Sequence, residues 1–524
     1  MSYLYGASVQ GIQDFIFQTN SLAEIVGASE LVEEICTLKF VKMISPDPKH
    51  SASYLSARDY LKEDSNAVLN AAGNIKYIFS SRTDCEKVVR EFPRMIYEFA
   101  PGVTISQAVV EITDGVALKD IVGTLEARLK IQRNKPARSA VLGLIGTQRS
   151  RQTGLPIVSS GNGLYLDKAT AAKLYTFENG SRKKKTTYNL CKKAFGLEDL
   201  EEKRVPFMID SMTSNNDWIA VIHADGNGLG NVITKIGSSE NKSASPQKVL
   251  KDFSQRLDEA TTTAAIKAYQ SLGIDDAEVI PIRPIVLGGD DLTVICRADL
   301  ALRYTSVFIR EFEIETERLL GDILSEYKVY TKGNISSRLT ACAGIAFVKS
   351  SFPFHYAYSL AEQLCSKAKA DAKSDIDVSQ ELAHSCVMFH KVQGSYTGQY
   401  DDIVKRELLP QEKLSFCHGP YYLDTKTGRW TIDDLMHYSD LMAEDRFKAI
   451  RSRIRKWISL VYENEQMASQ DLGRIKSLYD TLRDDIEKMT SLTVRNINDE
   501  MVSCCPAYDI MTVNTICTQV TKQM

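Results

Sequence analysis

No run of 18 apolar residues occurs in the sequence, so no segment is long and apolar enough to cross a bilayer as a helix, and no membrane association is expected. The opening residues, MSYLYGASVQGIQDF, lack the basic and apolar regions of a secretory leader. The eleven cysteines form no CxxC pair, and the one close pair, Cys504–Cys505, is adjacent in sequence, a spacing that rarely closes a disulfide. A structural zinc and a disulfide framework are therefore not expected, and a reduced, cytoplasmic setting is. An excess of one charge is missing too. The 64 Lys and Arg balance 67 Asp and Glu to a net charge of -3, so any nucleic-acid contact must come from local patches.

What is present is the composition of an ordinary folded protein, with 44% hydrophobic and 25% charged residues over 524 positions. That length suggests about two to four domains. Residues 1–115 read as mixed α and β. A strand is expected at Tyr3–Ser8, helical apolar spacing runs through residues 9–43, and a strand, helix and strand follow at Asn74–Ser80, Asp84–Phe99 and Val103–Ile112. Residues 116–215 are harder to place. They hold a helix near 117–130, a polar loop at 146–163 and the basic run Arg182–Lys185, read as an exposed loop. Residues 216–398 repeat the first pattern more clearly. Trp218–His223 is an apolar strand, Ala224–Gly230 a glycine-rich turn, and residues 246–271 a long helix. Ile282–Leu287 and Leu292–Cys296 are strands joined by Gly288-Gly289-Asp290-Asp291; a helix near 299–327 and a strand near 338–348 follow. The βαββαβ order is ferredoxin-like, and its recurrence predicts an α+β protein with two such domains. Residues 399–524 read as mainly helical, with apolar spacing through Ile450, Ile454, Trp457, Ile458 and Val461.

The chemistry is carried by two turns. Asp225 directly follows a buried-type strand in HADGNGLG, and Asp290 and Asp291 sit in a GGDD hairpin. Alone, the first could be a surface turn or a calcium-loop fragment, and the second a plain hairpin. At strand ends within one βαββαβ unit, they bring three carboxylates together. Such crowding is unfavourable unless cations neutralise it, and hard oxygen ligands suit two Mg²⁺ or Mn²⁺ ions. Two ions of this kind activate an attacking hydroxyl and stabilise a leaving pyrophosphate. The glycines at 226, 228 and 230 leave room for triphosphate oxygens to reach backbone N–H groups.

Here the sequence resembles a known family. WIAVIHADGNGLGNVI, PIVLGGDDLTVICRADLAL and LTACAGIAFVKSSFPFHYAYSLAEQLCSKAKAD look like the polymerase-like palm of the large subunit of type III CRISPR effector complexes, and more distantly like GGDEF-type diguanylate cyclases. The opening YLYGASVQGIQDFIFQTNSLAEIVGASELVEEIC is similar to the first palm of the same subunit. The resemblance implies synthesis of cyclic oligoadenylate, or a related messenger, from ATP in antiviral defence. It implies metal ligation by Asp225, Asp290, Asp291 and the carbonyl of Gly226. It implies phosphate contacts from Asn227, Gly228, Gly288 and Gly289, and a triphosphate-binding role for Lys369 in SKAKAD, which otherwise reads as one solvated lysine among Lys367, Lys369 and Lys373. The first palm has Ala72-Gly73-Asn74 at the place of GGDD, and Gln10 and Gln13 are expected where the second has Asp225, so it is read as a degenerate palm that helps hold an acceptor nucleotide. Relatives often begin with an HD nuclease domain and carry a zinc-binding cysteine cluster. None of the seven histidines here is followed by Asp, and the cysteines form no such cluster, so neither feature is expected.

Guide-RNA complex subunits and target RNA are the implied partners, although a stand-alone cyclase is equally compatible with the motifs. A scaffold that keeps its palm as architecture, or an enzyme that uses GTP, are the rival readings. The run Arg451–Lys456 is assigned to a solvated helix face, His223 to strand packing, and Cys342 and Cys365 to the core.

Overall fold

The structure is a computed structural model. It describes residues 2–521 apart from 72, 114–115, 117, 136–145, 152, 162–163, 179–180, 185–187, 214–216, 239–245, 332–336, 375, 395–397, 412–413, 425–428 and 498–499. The chain starts with β1 (Ser2–Gln10), α1 (Ile12–Phe17), α2 (Leu22–Glu34), α3 (Phe40–Ile44) and α4 (Tyr54–Glu63). Next come β2 (Ala67–Ala71), β3 (Asn74–Phe79), α5 (Arg82–Phe99), β4 (Thr104–Ile112) and α6 (Leu118–Arg133). β1 pairs with β3 and β4, and β2 with β3, all antiparallel, in the order β2-β3-β1-β4. This is the ferredoxin-like sheet that the sequence pattern predicts. Two elements of it, α4 and β2, were not anticipated.

The connecting region holds two small hairpins, β5 (Ile157–Gly161) with β6 (Leu164–Asp167), and β7 (Tyr175–Glu178) with β8 (Ser181–Lys184). Helices α7 (Lys168–Leu174) and α8 (Asn189–Phe195) accompany them. Parts of the expected polar loop and of the expected basic loop are thus strands. Cross-strand pairing of Phe177 with Arg182 and Thr176 with Lys183 explains the second case; Lys185 lies outside the described residues.

The second sheet repeats the first and extends it. Its elements are β9 (Trp218–Gly226), α9 (Leu229–Ser238), α10 (Pro246–Gln270), β10 (Ile282–Gly288), β11 (Asp291–Arg297), α11 (Ala301–Glu326), β12 (Ala341–Lys349), α12 (Phe354–Lys373) and β13 (Cys386–Lys391). The order is β10-β11-β9-β12, followed by β13, parallel to β12, and β15 (Tyr421–Tyr422). β9 is apolar almost throughout because both of its faces are covered: Trp218 to Ala224 are all buried.

The remaining elements are α13 (Tyr400–Ile403), β14 (Leu414–Ser415), α14 (Ile432–Ala443), α15 (Lys448–Glu463), α16 (Glu465–Leu478), α17 (Arg483–Met489), β16 (Thr493–Ile497), β17 (Glu500–Cys504) and α18 (Ala507–Thr521). The region is helical as expected, but it also contains a sheet in the order β14-β17-β16. On α15 the apolar stripe Ile450, Ile454, Trp457 and Val461 is buried, while Arg455 and Lys456 are exposed. Among the described residues no helix is long and apolar enough to cross a membrane.

Candidate active site

Strand register builds the site. Asp225, next to last in β9, lies directly opposite Asp291, the first residue of β11, and opposite Cys342 of β12 on its other side. Directly opposed residues share a face, so Asp225 and Asp291 project together. Gly288 pairs with Asp291, which leaves Gly289 and Asp290 as the two-residue hairpin tip, with Gly289 at a φ of 62°. The tip folds back onto the end of β9. A Cβ on Gly226 would sit 2.8 Å from both Cβ and Oδ2 of Asp290, so only glycine allows that approach.

Helix α12 covers the same face. A Cβ on Gly344 would lie 2.0 Å from the carbonyl oxygen of Ala361 and 2.5 Å from the amide nitrogen of Cys365, so the missing side chain lets the helix lie against β12. Tyr358, Glu362, Cys365 and Lys369 follow at helical spacing on the stripe turned toward the acids. Lys369 Nζ pairs with Asp225 Oδ2 and donates to the Gly226 carbonyl at 2.8 Å. Glu362 was not singled out from sequence. It accepts from Gln13 Nε2 at 3.1 Å, and its only sequence signal is that helical spacing to Lys369.

The acids open into a cavity of about 460 Å³ that the two palms share. Asp225, Asp290, Asp291, Gly288, Gly289, His223 and Glu362 line it, together with Leu4, Val68, Leu69 and Val122 from the first palm and with Leu229, Ile233, Leu250 and Phe253. Gln13 reaches the cavity and also donates to Tyr358 Oη at 2.9 Å. Gln10 does not reach it: its amide bonds back to the Ser8 carbonyl of its own strand at 3.1 Å. Asn227 is also displaced from its expected place. Its side chain is buried against Thr340 Oγ1 (3.1 Å) and Cys342 Sγ (3.4 Å), so it anchors the loop instead of lining the cavity. Gly228, at a φ of 72°, follows that anchor and is likewise absent from the cavity wall.

Electrostatics fit a crowded acid site. Burial, then the charge of Asp225, then that of Asp291 push the Asp290 carboxyl up to about 7. Burial, again followed by Asp225, pushes Asp291 up to about 7, with Lys369 opposing. Asp291 keeps 36% of its side-chain surface open and lines the cavity. His223 sits 3.2 Å from Thr293 Oγ1 and 3.4 Å from Asp291 Oδ1. Burial lowers its pKa against the pull of Asp225 and Glu362, so it stands as a neutral ring. Cys342 and Cys365 are buried core thiols.

Among the described residues no three His, Cys, Asp or Glu side chains already form a metal-holding group. The three acids expected to converge do line one cavity. The raised pKa values of Asp290 and Asp291 reflect the crowding of the acids, and the ammonium of Lys369 offsets part of it at Asp225. The donor set nevertheless suits a hard divalent cation. All donors are oxygens, and Asp291 Oδ1 is buried with no hydrogen-bond partner.

A ferredoxin-like sheet with acids at the end of its first strand and at its hairpin tip defines a palm domain of the nucleotidyltransferase type. Residues 218–376 match the family model Cas10/Cmr2, second palm domain. No curated protein matches the sequence. Among solved structures, a Csm1-Csm4 cassette in complex with cA3 aligns over 98% of this chain and 69% of its own, with a TM-score of 0.54 and 14% identity. The cassette in complex with pppApApA aligns over the same shares at a TM-score of 0.53 and 12% identity. The apo cassette covers 98% of this chain and 70% of its own at 0.52 and 13%. At such identities the likeness is one of fold.

Proposed function

We propose that this chain joins nucleotides through their phosphates, using ATP to make a cyclic oligoadenylate or related messenger in CRISPR-linked defence. The observation that carries this reading is the opening of Asp225, Asp290 and Asp291 into one cavity walled by both palms. Asp225, Asp290, Asp291 and the Gly226 carbonyl would hold two Mg²⁺ or Mn²⁺ ions, which when bound supply Lewis acidity at the α-phosphate and lower the pKa of the attacking hydroxyl. A ribose hydroxyl of one nucleotide then attacks the α-phosphate of another; the new O–P bond forms as the bond to the β-phosphate breaks, and pyrophosphate leaves. Lys369, exchanging Asp225 for phosphate oxygens, neutralises the triphosphate. Gly288 and Gly289 leave the hairpin backbone open to the ligand, and the apolar residues of the cavity wall suit a base. Holding both reactants between the palms removes much of the entropic barrier.

The solved relatives are cassettes of two subunits, Csm1 and Csm4, and on that likeness we place this chain beside a second subunit in a guide-RNA complex, with target RNA as a further partner. The partition into 1–115, 116–215, 216–398 and 399–524 is the working division. One observation favours the scaffold alternative: Lys369 already compensates Asp225 without any ion. Incubating the purified chain with each NTP and Mg²⁺ or Mn²⁺, and identifying products by mass spectrometry, decides between them. Products from ATP that disappear in D290N/D291N support the enzyme; none from any NTP, alone or with its partners, leaves the scaffold.

A further inference from the structure

Joining a ribose hydroxyl to an α-phosphate releases a proton as well as pyrophosphate, and that proton needs an acceptor. Four carboxylates line the cavity: Asp225, Asp290, Asp291 and Glu362. The first three sit at a strand end and a hairpin tip, and their oxygens are committed once cations are bound. Glu362 comes instead from a helix, α12.

Its surroundings set it apart. Among the described residues no lysine, arginine or histidine pairs with Glu362, although Lys369 on the same helix pairs with Asp225. Gln13 Nε2 donates to Glu362 Oε1 at 3.1 Å and to Tyr358 Oη at 2.9 Å. One amide from α1 therefore bridges two residues a turn apart on α12 and fixes the direction of the carboxylate. Oε2 takes no hydrogen bond among the described residues, and the side chain is half-buried. Glu362 raises the pKa of both Asp291 and His223, so its charge acts on the reaction centre. Glu362 and Lys369 are seven residues apart, two helical turns, or about 10 Å along the axis. With Lys369 at the outer phosphates, that separation leaves room for the α-phosphate and its attacking hydroxyl near Glu362.

His223 is the rival acceptor. Its Nδ1 already faces Thr293 Oγ1 at 3.2 Å and Asp291 Oδ1 at 3.4 Å, its ring packs edge-to-face on Tyr358, and burial holds its pKa down. Charging that buried ring costs more than neutralising a half-buried carboxylate.

We propose that Glu362 is the general base of nucleotidyl transfer. Its Oε2 takes the proton of the attacking hydroxyl as that oxygen bonds to the α-phosphorus. The bond from the α-phosphorus to the bridging oxygen breaks, and pyrophosphate leaves with the electron pair. Gln13 holds the other carboxylate oxygen throughout. This rests on the reading of Asp225, Asp290 and Asp291 as the metal-holding acids.

The test separates basicity from binding. Glu362→Gln keeps the shape of the side chain and removes its basicity, so turnover of ATP with Mg²⁺ should fall by about 100-fold or more. Calorimetric binding of a non-hydrolysable ATP analogue with Mn²⁺, and the melting temperature, should stay those of the wild type. Glu362→Gly should be as slow, and formate, a free carboxylate small enough for the vacated space, should speed it by about tenfold or more. Wild-type turnover in Glu362→Gln overturns the proposal. A loss that appears instead as weaker analogue binding also overturns it, since Glu362 would then be a ligand of metal or phosphate. So does folded Glu362→Gly that formate leaves unchanged. The catalytic reading fails on a different result, normal turnover in D290N/D291N.

Discussion

Two carboxyls held up to about 7 make the hairpin tip a pH-sensitive part of the fold. Their pKa in the unfolded chain is near 3.8, so between that value and about 7 the folded state binds more protons than the unfolded one. Their contribution is therefore nil below the unfolded value and grows into a destabilisation that is complete above about 7. In EDTA, D290N/D291N should melt several degrees above the wild type at pH 8 and close to it at pH 4, measured by circular dichroism. The same variant should lose nucleotide conversion by on the order of 100-fold or more while remaining folded. Lys369→Ala should raise the apparent KM for ATP more than it lowers kcat, because its charge serves triphosphate binding; unchanged kinetics would return it to a structural pairing with Asp225. The acids were legible in the sequence because each follows an apolar strand and sits among glycines. Glu362 was not, because its helical spacing to Lys369 alone does not mark it out, and its partner Gln13 comes from another part of the chain. In the first sheet Ser8 lies opposite Asn74, the residue that closes its hairpin, as Asp225 lies opposite Asp291 in the second, and this match of Ser8 to Asp225 was hidden for a related reason. Counting from a strand end misplaces a residue by two, whereas pairing across the hairpin does not.

At the scale of elements, α12 is the part whose position matters most, and Gly344 sets it. Gly344→Ala puts a methyl group 2.0 Å from a backbone oxygen, which the helix can relieve only by moving outward. We expect a stability loss of about 1–3 kcal/mol in denaturant titration. Turnover should fall further than stability does, since Glu362 and Lys369 move with the helix; equal losses would mean that α12 has no positioning role. The long amphipathic helices and the apolar central strands were readable because their periodicity extends over enough residues to be distinctive. The elements missed were short. β2 is five residues, AVLNA, and is a strand because β3 pairs with it. β14 is two residues, and with β16 and β17 it forms a sheet joined across distant stretches of sequence. Pairing of that kind leaves little local trace.

Across the whole molecule, the cavity joins residues more than two hundred positions apart, from Leu4 to Glu362. Filling it from the first palm is the direct check that both palms serve one site. Leu69→Trp, a change on the first palm remote from the acids in sequence, should weaken analogue binding by about tenfold, roughly the loss of one well-placed contact group. Thermal stability should change little, because Leu69 is only partly buried. Undiminished binding would detach the first palm from nucleotide recognition. The pairing of Lys369 with Asp225 and the Gly226 carbonyl has a consequence for how the protein comes into being. A nascent chain carries its own counter-charge for the acid turn, so it can leave the ribosome and mature before any metal reaches it.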